Sequence, residues 1–220
     1  MLSKSTKERL LHLLRILENH AASGVSGSVT SAQVEQLTGW SRETIRKDIS
    51  SLISASGTIG NAGGAIGNAA GYEPQALIPL IKKALKLDHK RKFCIIGLGR
   101  LGSAYLNFSP VELDEFELAA GFDSNVNRVE ILKSQAPLYP VYKMSQVISR
   151  LGIELALICV PADAAQTAAE KCVEAGIRGI LNYAPVPLNL PPEVAVRNVF
   201  VVDDLRSLVI KLGEHYEKSV

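Results

Sequence analysis

Apolar residues in the first ninety positions recur at intervals of three and four, and from Phe93 onward they gather into short unbroken runs. The first pattern is that of amphipathic helices, the second that of strands covered on both faces of a parallel sheet. Over 7–17, Leu10, Leu13, Leu14 and Leu17 form one stripe, widened by Leu11 and Ile16. Thr30-Ser31-Ala32-Gln33 has the reciprocal capping form and opens a short helix through Leu37 that Gly39 closes. Ser41 caps a third helix carrying Ile45, Ile49, Leu52 and Ile53 on one side. Helix, short helix, turn, helix is the order of a helix-turn-helix domain. Six of the 17 glycines fall in 54–71, a Ser, Ala, Gly, Asn stretch that predicts a flexible loop or a poorly packed hairpin. A helix resumes over 72–87, with Pro74 near its start and Pro79 interrupting it, and 88–92 forms a charged linker.

The runs 93–96, 116–122, 155–160 and 179–181 read as strands separated by helix-length segments, with 198–202 as one more. A terminal helix over 204–216 sets Leu205, Leu208, Val209, Leu212 and Tyr216 on one face. Between the first strand and its helix lies Gly97-Leu98-Gly99-Arg100-Leu101-Gly102, a GxGxxG loop. In that setting the first glycine permits a tight turn, the second a close approach of a diphosphate, and the third helix-on-strand packing. Asp123 ends the next strand 21 residues after Gly102, where a carboxylate binds ribose hydroxyls and repels a 2′-phosphate. This favours NAD and NADH over the phosphorylated form, with Arg128 close enough in sequence to leave the latter open. The turns Val160-Pro161-Ala162 and Asn182-Tyr183-Ala184-Pro185 end two further strands and point at the same crevice, so Val160, Pro161, Asn182, Ala184 and Pro185 join the cofactor-binding candidates.

The 220 residues carry a net charge of only +2, but positions 1–92 hold 13 basic and 7 acidic residues, a surplus of +6, leaving −4 for the rest. A basic helical domain gains from phosphate contacts. On the third helix Arg42, Arg46, Lys47 and Ser50 lie opposite the apolar stripe, with Thr44 beside them, and together they are the candidate DNA-binding residues. Cys94, Cys159 and Cys172 have no metal-ligand spacing, Cys94 and Cys159 read as buried small hydrophobes within apolar runs, and a reducing, cytoplasmic setting without metal fits. No run has the length of a membrane span. A dehydrogenase needs a proton relay and a substrate domain. The four histidines, His12, His20, His89 and His215, all fall outside the sheet region, so catalytic residues are expected to be none.

Taken together, 41–50 (Ser-Arg-Glu-Thr-Ile-Arg-Lys-Asp-Ile-Ser), 96–104 (Ile-Gly-Leu-Gly-Arg-Leu-Gly-Ser-Ala) and 179–185 (Gly-Ile-Leu-Asn-Tyr-Ala-Pro) resemble the Rex family of bacterial redox-sensing transcriptional repressors over nearly the whole chain. The resemblance implies an α/β architecture with a winged helix-turn-helix domain over 1–88, a doubly wound parallel-sheet Rossmann domain over 89–203, and a C-terminal helix over 204–220 exchanged in a homodimer. It further implies competition between NADH and NAD⁺ and release of double-stranded operator DNA by NADH. By the same resemblance Arg46 and Lys47 contact DNA, 97–102 binds the diphosphate, Asp123 the adenosine ribose, and Arg15 couples the domains.

The match breaks at three places. No Lys or Arg occurs between Lys47 and Lys82, where family members have a basic wing. Phe108 stands where a tyrosine is frequent, and Phe200-Val201 where aspartate then phenylalanine is expected. These differences leave open a reading of another class, an NAD(H)-binding oxidoreductase or ligand-binding module whose winged-helix region serves dimerisation only.

Overall fold

The computed structural model describes residues 2–24, 27–56, 67–68, 71–107 and 115–217. Two compact units divide the chain, Met1–His89 and Lys90–Val220.

In the first unit, α1 (Lys4–Ala22), α2 (Ser31–Thr38), α3 (Arg42–Ala55) and α4 (Pro74–Leu85) enclose one apolar core. Leu10, Leu17, Val34, Leu52, Leu77 and Ile81 are fully buried there, so each expected helical stripe is a core stripe. Thr30 and Gln33 form the reciprocal cap expected for α2, and Gly39 ends it in the left-handed conformation at φ 73°. Ser41 caps α3 by accepting from the Thr44 N–H. Pro79 does not interrupt α4, which runs through it: the hydrogen bond lost at proline is offset by complete burial of Leu77 and Ile81 on either side. The first residues of 54–71 still belong to α3. The strands β1 (Gly67–Asn68) and β2 (Gly71–Tyr72) pair antiparallel, and Tyr72 bridges to Val29. The rest of the expected loop, 57–66 and 69–70, lies outside the described residues.

In the second unit, β3 (Arg91–Ile96), β4 (Phe116–Asp123), β5 (Leu138–Pro140), β6 (Leu155–Ile158), β7 (Gly179–Asn182) and β8 (Ala195–Asn198) make one parallel sheet in the order β5-β4-β3-β6-β7-β8. Strand order reverses between β3 and β6, which defines the topological switch point where open α/β sheets bind ligands. The intervening helices are α5 (Arg100–Tyr105), α6 (Val126–Ile131), α7 (Met144–Leu151) and α8 (Ala162–Glu174). Alternation along β3 divides the core. Cys94 and Ile96 join Met144, Ile148, Ala165, Ala169 and Cys172 on the α7/α8 face, whereas Phe93 and Ile95 pack with Leu98 and Leu106 on the other.

Two sequence expectations are corrected here, and one strand is added to those expected. The edge strand β5 is too short and too mixed in composition to stand out. The strand expected at 198–202 lies earlier, at Ala195–Asn198. Accordingly α9 (Val201–Glu217) starts at Val201, not Asp204, with the Phe200 carbonyl accepting the Asp203 and Asp204 N–H groups and both aspartates in its first turn. Leu205, Leu208, Val209 and Leu212 are all more than half exposed, so the apolar face of α9 is bare within its own unit. Among the described residues no helix is long and apolar enough to cross a membrane, and no cluster of potential metal ligands occurs.

Candidate functional site

At the carboxyl ends of β3, β4 and β6 a crevice of about 750 Å³ gathers Gly97, Gly99, Arg100, Leu101, Asp123, Arg128, Val160, Pro161 and Tyr183. The three glycines of the loop do different work. Gly97 sits at φ 91°, and a Cβ there would stand 2.7 Å from Val160 Cγ1 and 2.8 Å from the Cys159 carbonyl oxygen. A Cβ on Gly102 would fall 1.9 Å from the Gly97 carbonyl oxygen, so α5 presses directly on the turn. Gly99 has nothing within 4 Å of its would-be Cβ and caps α5 without any side-chain hydrogen bond. It borders the open crevice where a diphosphate requires close backbone approach.

Asp123 is 4% exposed at the end of β4. Its Oδ2 accepts the Leu98 N–H and its Oδ1 the Asn125 N–H, each at 2.7 Å, and the Arg128 guanidinium donates to Oδ2 at 3.4 Å. One carboxylate therefore braces the glycine loop and borders the crevice. Leu98 itself is buried with its N–H committed to Asp123, and it shapes the loop from behind.

The turn after β7 is built differently from the sequence expectation. Asn182 and Ala184 are buried and do not border the crevice. The Asn182 amide is saturated: Nδ2 donates to the Val186 carbonyl at 2.8 Å and to Asn198 Oδ1 at 3.0 Å, and Oδ1 accepts the Ala184 N–H at 3.0 Å. Asn182 thus holds the turn, and Tyr183 is the residue that reaches the crevice. Pro185 is exposed but is not among the crevice residues. Cys159, expected to be buried, is half-buried and borders the crevice, because the chain turns outward after Ile158. Burial pushes its thiol up to about 11, and that of Cys172 to about 12.

On α3, Arg46, Lys47 and Ser50 are exposed together, opposite buried Ile45, Ile49 and Leu52. Arg42 is exposed but donates to Glu35 at 2.7 Å, and half-buried Thr44 shares its hydroxyl with the capping Ser41 at 2.9 Å. Sequence reasoning missed Asp48. This buried carboxylate receives a bidentate hydrogen bond from Arg9 of α1, at 2.5 and 2.8 Å, and so orients the basic helix. Its signal was an acidic residue on the apolar stripe. Arg15 is exposed on α1, bordering a groove with His12, Gln36 and Trp40. Phe108 lies outside the described residues.

The fold and these two sites define a dinucleotide-type Rossmann unit joined to a winged helix with a basic recognition face. Residues 88–186 match the family model described as CoA binding domain. The chain is 31% identical to the redox-sensing transcriptional repressor Rex of Levilactobacillus brevis over 191 residues, 87% of this chain and 85% of that protein. With the Rex protein of Bacillus licheniformis it shares 31% over 213 residues, covering 97% and 94%. The solved structure of RSP, a Rex-family repressor, in complex with β-NADH superposes with a TM-score of 0.80 at 28% identity, covering all of this chain and 98% of that one. RSP in complex with β-NAD⁺ and operator DNA gives 0.79 at the same identity, covering 100% and 96%. The chain belongs to the Rex family of redox-sensing transcriptional repressors.

Proposed function

We propose that this chain is an NAD(H)-responsive repressor: it binds double-stranded operator DNA through the winged-helix domain and is released when NADH occupies the Rossmann domain. The observation that carries the reading is the Asp123 carboxylate tied to the Leu98 N–H inside the switch-point crevice. That link ties the carboxylate that would bind a ribose to the glycine loop, where Gly99 offers bare backbone to the crevice, and the combination supports a dinucleotide ligand. Gly97, Gly99, Arg100 and Leu101 would hold the diphosphate, Asp123 the adenosine ribose, and Val160, Pro161 and Tyr183 the second nucleoside. A carboxylate at the ribose disfavours ligands phosphorylated there, which sets NAD(H) apart from NADPH and coenzyme A.

Arg46, Lys47 and Ser50 supply the DNA face, with Thr44 and Arg42 at its margin and Arg15 coupling the domains. Domain boundaries follow the assignment 1–88, 89–203 and 204–220. The protein works in the cytoplasm as a homodimer in which the bare apolar face of α9 is exchanged between subunits. An apolar groove of about 470 Å³ on the sheet, lined by Leu155, Leu157, Leu181 and Val196, supports that exchange. Release by NADH is limited by the ratio of its affinities for the DNA-competent and incompetent states.

The test is fluorescence anisotropy of the purified protein with a pool of palindromic duplexes at low and physiological salt, repeated with saturating NAD⁺, NADH, NADPH and coenzyme A. Sequence-specific binding that NADH alone abolishes is the expected result. Tight NADH binding without any specific DNA complex would refute the repressor reading.

A further inference from the structure

Two tyrosines meet where the crevice opens toward the uncovered face of the sheet. Tyr105 is the last residue of α5, the helix that begins at the glycine loop, and Tyr183 opens the turn after β7. The Tyr105 hydroxyl donates to the Tyr183 hydroxyl at 2.7 Å, and the rings stand 5.4 Å apart at 40°. Tyr183 is fixed from behind. Its N–H donates to the Ile158 carbonyl at 2.9 Å, while the saturated Asn182 amide holds the next residue. The Tyr183 backbone is thereby held, and the hydrogen bond from Tyr105 sets where its hydroxyl stands.

A phenol has one proton to donate and can accept two hydrogen bonds. The Tyr183 oxygen accepts from Tyr105, and its own proton has no acceptor among the described residues. Burial pushes its pKa up, so the group stays a neutral donor throughout the physiological range. Cys159 borders the crevice beside Tyr183, and its thiol is neutral and at best a weak donor.

The order along the crevice decides what Tyr183 would meet. Asp123, at the end of β4, stands where an adenosine ribose binds, and Gly97 and Gly99, after β3, where a diphosphate does. The turns after β6 and β7 lie beyond them, on the far side of the switch point. We infer that the Tyr105-oriented Tyr183 hydroxyl is a specificity-determining donor for an amide carbonyl on the distal base of a dinucleotide, the carboxamide of a nicotinamide. This deepens the reading above and rests on it. In this arrangement Tyr183 touches ligand, and Tyr105 is the positioning residue that turns its proton into the crevice.

The experiment titrates NADH and ADP-ribose, which lacks the nicotinamide, into the full chain and into its Tyr183→Phe and Tyr105→Phe variants by calorimetry. Phenylalanine keeps each ring in place, and ADP-ribose affinity reports whether the diphosphate loop and Asp123 remain intact. Loss of one neutral hydrogen bond predicts that Tyr183→Phe weakens NADH about five- to tenfold. ADP-ribose should stay within about twofold, and Tyr105→Phe should cause a smaller loss confined to NADH. Equal loss of both ligands in Tyr183→Phe would make the pair purely structural and overturn the inference, as would no loss of NADH. If the unmodified chain binds neither ligand, the dinucleotide reading itself falls. If it binds both and Tyr183→Phe matches it, only the inference falls.

Discussion

Replacing Asp123 by asparagine separates its two duties. The carboxylate offers about four lone-pair positions. The Leu98 and Asn125 N–H groups, both at 2.7 Å, take two of them, and Arg128 stands 3.4 Å away. What remains faces the crevice and is the share available to ribose hydroxyls. The amide introduced by Asp123→Asn would keep one acceptor oxygen. The buried Leu98 N–H has no water to turn to and should retain it, whereas exposed Asn125 can exchange its bond for solvent. The expected stability cost is therefore about 1 kcal/mol, a fall in Tm of roughly 2–5 °C. Loss of charge-assisted acceptance at the ribose costs about 1.5–3 kcal/mol, roughly 10- to 150-fold in Kd for NADH. NADPH should respond in the opposite sense. Two unit charges 4 Å apart at an effective dielectric of 20 repel by about 4 kcal/mol, and the substitution removes that repulsion while releasing Arg128 to face a phosphate. Calorimetric titration of both dinucleotides, with a thermal melt as control, should therefore show the NADH:NADPH preference collapsing by at least about tenfold. A parallel fall for the two ligands would mean that Asp123 only braces the loop. An unchanged NADH affinity would place the adenosine end elsewhere.

The double substitution Arg46→Ala, Lys47→Ala should abolish specific operator binding, lower the slope of log K against log salt for the remaining non-specific binding by about one to two units, and leave NADH titration unchanged; loss of both activities would refute the separation into two modules. Asp48→Ala strands the Arg9 guanidinium and should destabilise the chain by about 1.5–3 kcal/mol in urea unfolding, with a change under about 0.5 kcal/mol showing that the pair does not brace α3. Raised thiol pKa values mean that the folded chain holds those protons more tightly than the unfolded one. The stability contributed by Cys159 and Cys172 is therefore complete below pH 9 and lost as pH rises through about 11 and 12. Chemical denaturation across pH 8–12 should show that decline. Slow reaction of all three thiols with a chromogenic disulfide reagent at pH 8, accelerated by guanidinium, is its companion result, and one fast-reacting thiol in the native chain would contradict it.

What could be read in advance followed from period and punctuation. The stripes Leu10/Leu13/Leu14/Leu17 and Ile45/Ile49/Leu52 announced the faces that the first unit buries, and Thr30, Gly39 and Ser41 announced helix ends that are set by local hydrogen bonds alone. Errors arose where tertiary packing overrides local chemistry. Pro79 is a helix breaker by composition, yet burial of its neighbours Leu77 and Ile81 carries α4 past it. The three-residue strand β5 exists because β4 is already there to pair with it, Gly121 lying opposite Leu138, and nothing within 138–140 demands a strand. Asn198 ends β8 and supplies an oxygen to Asn182, a role that spacing along the chain does not reveal.

The candidate site divides along the same line. Glycine positions are legible because their requirement is a missing Cβ: at Gly102 the nearest atom would stand at 1.9 Å, at Gly99 there is open space, and both facts are implicit in the spacing of one loop. Side-chain commitments are not legible, because they depend on which residue of another element stands opposite. Asn182, polar and at a strand end, has the composition of a ligand contact and spends its whole amide holding the turn. Tyr183, aromatic and beside a proline turn, has the composition of packing and presents the spare proton. The two are adjacent, and β alternation sends them to opposite sides of the sheet, so the residue that completes the core cannot also read the ligand. On the inference drawn for Tyr183, the specificity of this crevice rests on the neighbour that the motif itself would pass over.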